Sequence, residues 1–198
     1  MRMISLTLCV ALLGAGALLV GSEPRDAKEI ELELPQHAVA VLVPTRGHQA
    51  RGVIEFTQTP RGVRIAGTIR GLTPGKHGFH IHEFGDLRSA DGTAAGDHFN
   101  PGGARHGAPG HEQHHYGDFG NIEADDEGIA NVILQADWMK LHFVVGRALV
   151  VHAEADDLES QPSGDSGPRA GIGVIGIARP REAREAAAGE TRQPARRE

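Results

Sequence analysis

Through the middle of the chain apolar and polar residues alternate at period two, the mark of strands that bury one face. Val39, Val41 and Val43 alternate along Ala38-Val39-Ala40-Val41-Leu42-Val43. Ile54 and Phe56 alternate with Glu55 and Thr57, and Val63, Ile65, Gly67 and Ile69 with Arg64, Ala66, Thr68 and Arg70. Pro60-Arg61-Gly62 and Leu72-Thr73-Pro74-Gly75 read as turns between them. Further strands are predicted over Phe79-His80-Ile81-His82, Asn121 to Ala124, Ile129 to Leu134, Arg147 to His152 and Ile172 to Ile177, with another apolar piece from Leu141 to Val145. Two stretches break the pattern, Asp86 to Gly120 and Ala153 to Ala170, both dominated by turn-forming residues. Loops this long inside a compact domain usually carry function. Seven or eight short strands with two such loops predict an all-β antiparallel sandwich or flattened barrel.

Composition narrows the picture. A length of 198 residues suits one domain with extras at its ends, and 27 glycines with only 4% aromatics suit a turn-rich β fold. The net charge of −6 argues against a nucleic-acid surface. Residues 1–22 carry one early arginine, an apolar run from Ile4 to Val20, and the small pair Gly21-Ser22, the layout of a cleaved export signal. The alternative is an uncleaved anchor attached to a membrane, for which the run is marginally short. Residues 23–36 form a polar lead-in, 37–178 the folded domain, and 179–198 a charged tail with too little apolar surface to fold alone. The single cysteine, Cys9, lies in the export segment, so the mature domain has no disulfide.

The chemistry is concentrated in one stretch. From Gly78 to Asp118 stand His80, His82, His98, His106, His111, His114 and His115, more than half of the twelve histidines in the chain. Alternation along a strand puts His80 and His82 on one face, their bases roughly 7 Å apart, close enough to converge on one ion. Imidazoles with one carboxylate suit zinc or copper.

Gly78-Phe79-His80-Ile81-His82-Glu83-Phe84-Gly85-Asp86, His98-Phe99-Asn100-Pro101, His115-Tyr116-Gly117-Asp118, Leu149-Val150-Val151-His152 followed by Ala155-Asp156-Asp157-Leu158, and Gly173-Val174-Ile175-Gly176-Ile177-Ala178 together resemble copper/zinc superoxide dismutase, from about Ala38 to Ala178. The resemblance implies an eight-stranded Greek-key barrel that dismutates superoxide anion outside the cytoplasm, in the periplasm or secreted. It implies copper on His80, His82, His98 and His152, and zinc on His98, His106, His115 and Asp118. His98 would then bridge the two metals as an imidazolate and supply a proton during turnover. The family's spacing selects His115 over His111 and His114; these two, with His37, His48, His77 and His142, read as ordinary surface or loop histidines. Asp156 matches an outer carboxylate that orients His80 and His106. Arg169, a few residues before the last strand, matches the arginine that draws the anion to copper. A homodimer is a further expectation, and a non-enzymatic copper-delivery or scaffold module is the alternative to the enzyme.

The chain also departs from the family. Both cysteines of the usual disulfide are absent, Ile172 standing where the second would be. Such a bond is typically worth about 2–4 kcal/mol. The second loop is short, has no lysine and carries Asp156, Asp157, Glu159 and Asp165. Weak electrostatic guidance of the anion is therefore expected, with the opposing charge on that loop.

Overall fold

The alternation closes on itself. In the computed structural model, which describes residues 33–180, eight antiparallel strands form one barrel. They are β1 (His37–Pro44), β2 (Arg51–Thr59), β3 (Gly62–Arg70), β4 (Gly75–His82), β5 (Asp118–Ala124), β6 (Ile129–Ala136), β7 (Ala148–His152) and β8 (Arg169–Ile177). Around the barrel the order is β1-β2-β3-β6-β5-β4-β7-β8, with β8 back beside β1. The chain thus crosses from β3 past β6 and β5 to reach β4, and from β6 past β5 and β4 to reach β7. These are the Greek-key crossings, and closure is thinnest between β5 and β6, which pair only through Ala124 and Ala130. The export segment 1–22, residues 23–32 of the lead-in, and the tail beyond Pro180 lie outside the described residues. Among those described, no helix is long and apolar enough to cross a membrane.

Inward residues of the strands make one core. Leu42, Ile54, Phe56, Ile65, Ile69, Phe79, Ile81, Leu149 and Ile175 are all fully buried. At roughly 1.5–3 kcal/mol for each fully buried large side chain, this face holds the barrel together. The apolar piece at Leu141 to Val145 is not a strand. Leu141–Phe143 is one 3-10 turn, and Met139, Leu141 and Val144, spaced by two and then three, all point into the core. That uneven spacing suits a plug at the barrel's end rather than a pleat. The Leu141 amide donates to Gln58 Oε1 at 2.9 Å, which anchors the plug to β2.

Two boundaries also differ from expectation. β4 begins at Gly75, inside the predicted turn, where φ of +113° suits glycine alone. β8 begins at Arg169, so this arginine is the first residue of the strand, paired with His152 on β7. Strands β4 and β7 are buried on both faces, because the long loops cover the outer side. That covered face is where the histidines lie.

Candidate metal centre

Period two decides which side chains of β4 meet. Phe79 and Ile81 enter the core, and His80 and His82 point outward beneath the loops. The first long loop is laced back onto β4 by backbone bonds. Phe99 N donates to Ile81 O at 2.7 Å, Glu83 N to Asp97 O at 2.9 Å, and Ile81 N to Gly117 O at 2.9 Å. A bridge pairs His82 with His98, so the loop brings His98 over the strand that carries His80 and His82. β7 lies against β4 on the other side and delivers His152 from its last position.

Two groups of possible ligands result. His80, His82, His98 and His152 can each offer an atom to one point, as can His98, His106, His115 and Asp118; within each group these atoms lie within 4.8 Å of one another. All seven residues are buried, and His98 is common to both groups. Asp118 opens β5, three residues after His115, whose amide donates to its Oδ2 at 2.8 Å. His111 is exposed and stands in neither group; His114 is half-buried against Trp138, ring centroids 4.7 Å apart.

The nitrogens show what the clusters are built to hold. His80 Nδ1, His98 Nε2, His106 Nδ1 and His115 Nδ1 are buried without a hydrogen-bond partner. His82 Nε2 and His152 Nε2 face each other at 3.3 Å. His106 Nδ1 lies 2.9 Å from Asp118 Oδ2 without hydrogen-bond geometry, as two ligands converging on one centre would. An unpaired buried polar atom is costly, and so many on two adjacent points indicate a missing partner at each. A cation suits each point.

Three rings of the first group are each fixed through the other nitrogen. His82 Nδ1 lies 2.9 Å from Gly96 O, His152 Nδ1 lies 3.1 Å from Gly167 O, and His80 Nε2 lies 2.8 Å from Asp156 Oδ2. The second oxygen of Asp156 takes His106 Nε2 at 2.9 Å, so one carboxylate orients a ring in each cluster. Asp156 is itself held by Asn121: Nδ2 donates to Asp156 O and Oδ1 accepts from Asp156 N, both at 2.8 Å. Gly164 has no room for a side chain, since a Cβ would fall 1.9 Å from Asp156 Oδ1.

Electrostatics follow the same plan. Burial pushes His80 down to about 4, outweighing the pull of Asp156. His82 and His152 are also held well below the ordinary imidazole value, chiefly by burial and then by neighbouring imidazoles. These three rings are neutral ligands at neutral pH. Burial alone would raise Asp118 and Asp156, yet bonds from the surrounding histidines hold both far below the usual carboxylate range. For His106 burial opposes charge and loses: the two carboxylates raise it to about 9.

That rise makes a prediction about the apoprotein. With its value lifted from 6.5 to about 9, His106 keeps a proton at neutral pH until a metal takes Nδ1. Metal loading should release that proton at about pH 8 and cease to release it at about pH 10. Calorimetry of zinc binding in buffers of different ionisation enthalpy reads the number. Release unchanged between the two pH values would contradict the assignment.

Arg169 stands at the mouth of the first cluster. Its carbonyl accepts from Thr45 Oγ1, and its guanidinium donates to Gly92 O and, at 2.5 Å, to Gly96 O. It lines a cavity of about 380 Å³ with His82, His98 and His152. Burial lowers its pKa, against the nearby carboxylates of Asp97 and Asp91. The second loop contributes Pro162, Ser163 and Gly167 to this cavity and none of its acids; the carboxylates on the wall are Glu83 and Asp97. The carboxylates on the cavity wall thus come from the end of β4 and the first loop, and the acids of the second loop lie off that wall.

Several supporting residues carried no readable signal in sequence. Asn121, Thr45 and Gln161, which exchanges bonds with the His106 backbone, are ordinary polar residues far along the chain from what they hold. His77, expected as a surface or loop histidine, is buried, with Nδ1 2.9 Å from His152 O and Nε2 2.8 Å from Thr73 O. Its place on the β4 alternation, opposite in phase to His80, was the one clue that it faces inward.

Comparison with known proteins agrees with this geometry. Residues 50–175 match the family model described as copper/zinc superoxide dismutase. A protein of Onchocerca volvulus named extracellular superoxide dismutase [Cu-Zn] is 44% identical over 157 residues, covering 72% of this chain and 77% of that one. The protein of the same name from Haemonchus contortus is 44% identical over 135 residues, covering 64% and 73%. The crystal structure of the clock protein EA4 superposes with a TM-score of 0.68 at 40% identity, covering 75% of this chain and 98% of that one.

Proposed function

The chain belongs to the copper/zinc superoxide dismutase family, and from that membership we propose that it converts two superoxide anions and two protons into dioxygen and hydrogen peroxide outside the cytoplasm. One observation carries the reading: buried imidazole nitrogens without partners converge on two adjacent points beside Arg169. His80, His82, His98 and His152 would hold copper; His98, His106, His115 and Asp118 would hold zinc. Bound there, copper would supply the one-electron redox chemistry and zinc, which has none, the ordering of the loop.

The residues of the chain do the rest. Arg169 binds and orients the anion at the cavity floor, its guanidinium fixed by the Gly92 and Gly96 carbonyls. His98 Nε2, the unpaired atom between the clusters, takes up and returns the proton that peroxide formation needs. Its Nδ1 stays on the Asp118 side, 2.9 Å from Oδ1, so the ring does not turn when Nε2 changes state. Asp156 fixes His80 and His106 and so couples the geometry of one cluster to that of the other. A copper-delivery or zinc-stabilised scaffold module would not need Arg169 beside the first cluster, and no observation favours it.

The test is dismutation by protein loaded with both metals, beside protein loaded with zinc alone. Activity in the first and none in the second is expected; equal rates would overturn the reading. The same samples address assembly. Exposed Phe84 and Leu87, with Val145, surround an open hollow suited to a second copy, so a homodimer should sediment and Phe84→Asp should shift it to monomer. Residues 1–22 are the proposed export signal. N-terminal sequencing of the exported protein should begin near Glu23, and a start at Met1 would mean an uncleaved anchor.

A further inference from the structure

The cavity over the copper cluster holds an unusual balance of charge. Its lining has one guanidinium, Arg169, and two carboxylates, Glu83 and Asp97. The two acids are joined: Asp97 N donates to Glu83 Oε2 at 3.3 Å. Gly96 lies between them and the arginine, since its carbonyl accepts from Arg169 and a Cβ there would fall 2.6 Å from Glu83 Oε2. Glu83 is shared with a second cation. The Arg147 guanidinium donates to Glu83 O and to Phe143 O and stacks 3.4 Å from the Phe99 ring centroid, away from the cavity. Among the described residues Asp97 pairs with no second guanidinium, and it is exposed at the mouth.

From this arrangement we infer that Asp97, aided by Glu83, is a gating carboxylate that holds down capture of anions by Arg169. The inference rests on the proposed function only for the identity of the anion. Asp97 follows the loop into place by its own backbone, whose carbonyl accepts from Glu83 N, so its position does not depend on its side chain. Neutralising it leaves that register intact and removes one negative charge from the path to the copper cluster. The charges of Asp118, Asp156 and the bound metals lie deeper and are common to every variant. Because the effect is one of approach, it acts on association and fades with salt.

The experiment compares the wild type with Asp97→Asn, Asp97→Lys and Glu83→Gln, with Asp126→Asn as control. Asp126 is exposed in the turn after β5, at the opposite end of that strand from Asp118, and tests net charge alone. At an ionic strength of about 0.01 M, Asp97→Asn should raise kcat/KM for superoxide about threefold and Asp97→Lys about tenfold, with a smaller gain for Glu83→Gln. At about 1 M salt all should converge. A second readout needs no turnover: the dissociation constant of azide at the copper site, followed by its charge-transfer absorbance, should tighten in the same order. A wild type without dismutase activity would end the proposed function yet leave the azide series to judge the gate. Variants with full copper content that capture neither anion better than wild type would overturn the inference, as would an equal gain in Asp126→Asn. If Asp97→Asn fails to hold copper, Glu83→Gln decides alone.

Discussion

Replacing His152 with alanine is expected to cut dismutation by about 10²-fold or more while the barrel stays folded. Losing even an outer partner of a metal ligand typically costs about 10–100-fold, and His152 is placed to be a ligand itself. The reason the fold should survive is local. β7 is paired on both sides, with β4 and with β8, through bonds that do not involve the imidazole. The carbonyl of His152 still accepts from His77, a backbone contact that alanine keeps. What disappears is Nε2, which faces His82 Nε2 across the first cluster, and the bond of Nδ1 to Gly167 O. The second cluster shares only His98 with the first, so zinc should stay bound. Metal analysis, copper spectroscopy and stopped-flow decay of superoxide together read the outcome. Full activity with full copper content would remove His152 from the copper site.

The strands were legible because one rule governs them. Each half-buried strand alternates, and β2 and β3 follow the expected phase; β1 does not, since Ala38, Ala40 and Leu42 face inward while Val41 and Val43 are exposed. The rule failed where burial is two-sided or irregular. Met139, Leu141 and Val144 plug the barrel with uneven spacing, so an apolar run there could not reveal a 3-10 turn. The start of β4 was hidden by Pro74-Gly75, residues that signal a turn whether or not a strand follows at once.

The site divides in the same way. His80 and His82 were readable from spacing on one strand. The remaining ligands were identified through the family pattern, because no local rule links His98 to His152 across the sheet or chooses His115 over His114. The structure supplies the physical reason for that choice: His115 N must reach Asp118 Oδ2, which fixes its side chain toward the cluster while His114 turns to Trp138. Which acids line the cavity was hidden for a related reason. The acids of the second loop are conspicuous in sequence, but Asp157 is spent on capping Glu159 and Ser160, whereas Glu83 and Asp97 reach the mouth through the bridge between His82 and His98.

Stripping both metals should lower the melting temperature by about 10–20 °C. A ligand present at a thousand times its dissociation constant stabilises by about 4.1 kcal/mol, and each kcal/mol shifts a domain of this size by about 2–4 °C. Structural zinc often binds more tightly than that sum assumes. The effect should be large here because, beside its backbone bonds to β4 and those from Arg169, the first loop has no covalent tie. Between His82 and Asp118 it has one short helix, Thr93–Ala95, and the only cysteine of the chain is Cys9, so no disulfide closes it. Without metal, four buried imidazole nitrogens lose their common partner, and hydration by opening the loop becomes the cheaper arrangement. The two metals should not contribute equally. The zinc group draws His98, His106 and His115 from separate places in the loop and ties them to Asp118 on β5, whereas three copper ligands sit on strands that already pair. Zinc alone should therefore restore most of the lost temperature, and calorimetry of the apo, zinc-loaded and doubly loaded protein separates the contributions. A fall of less than about 3 °C on stripping would mean that backbone bonds such as Phe99 N to Ile81 O hold the loop by themselves.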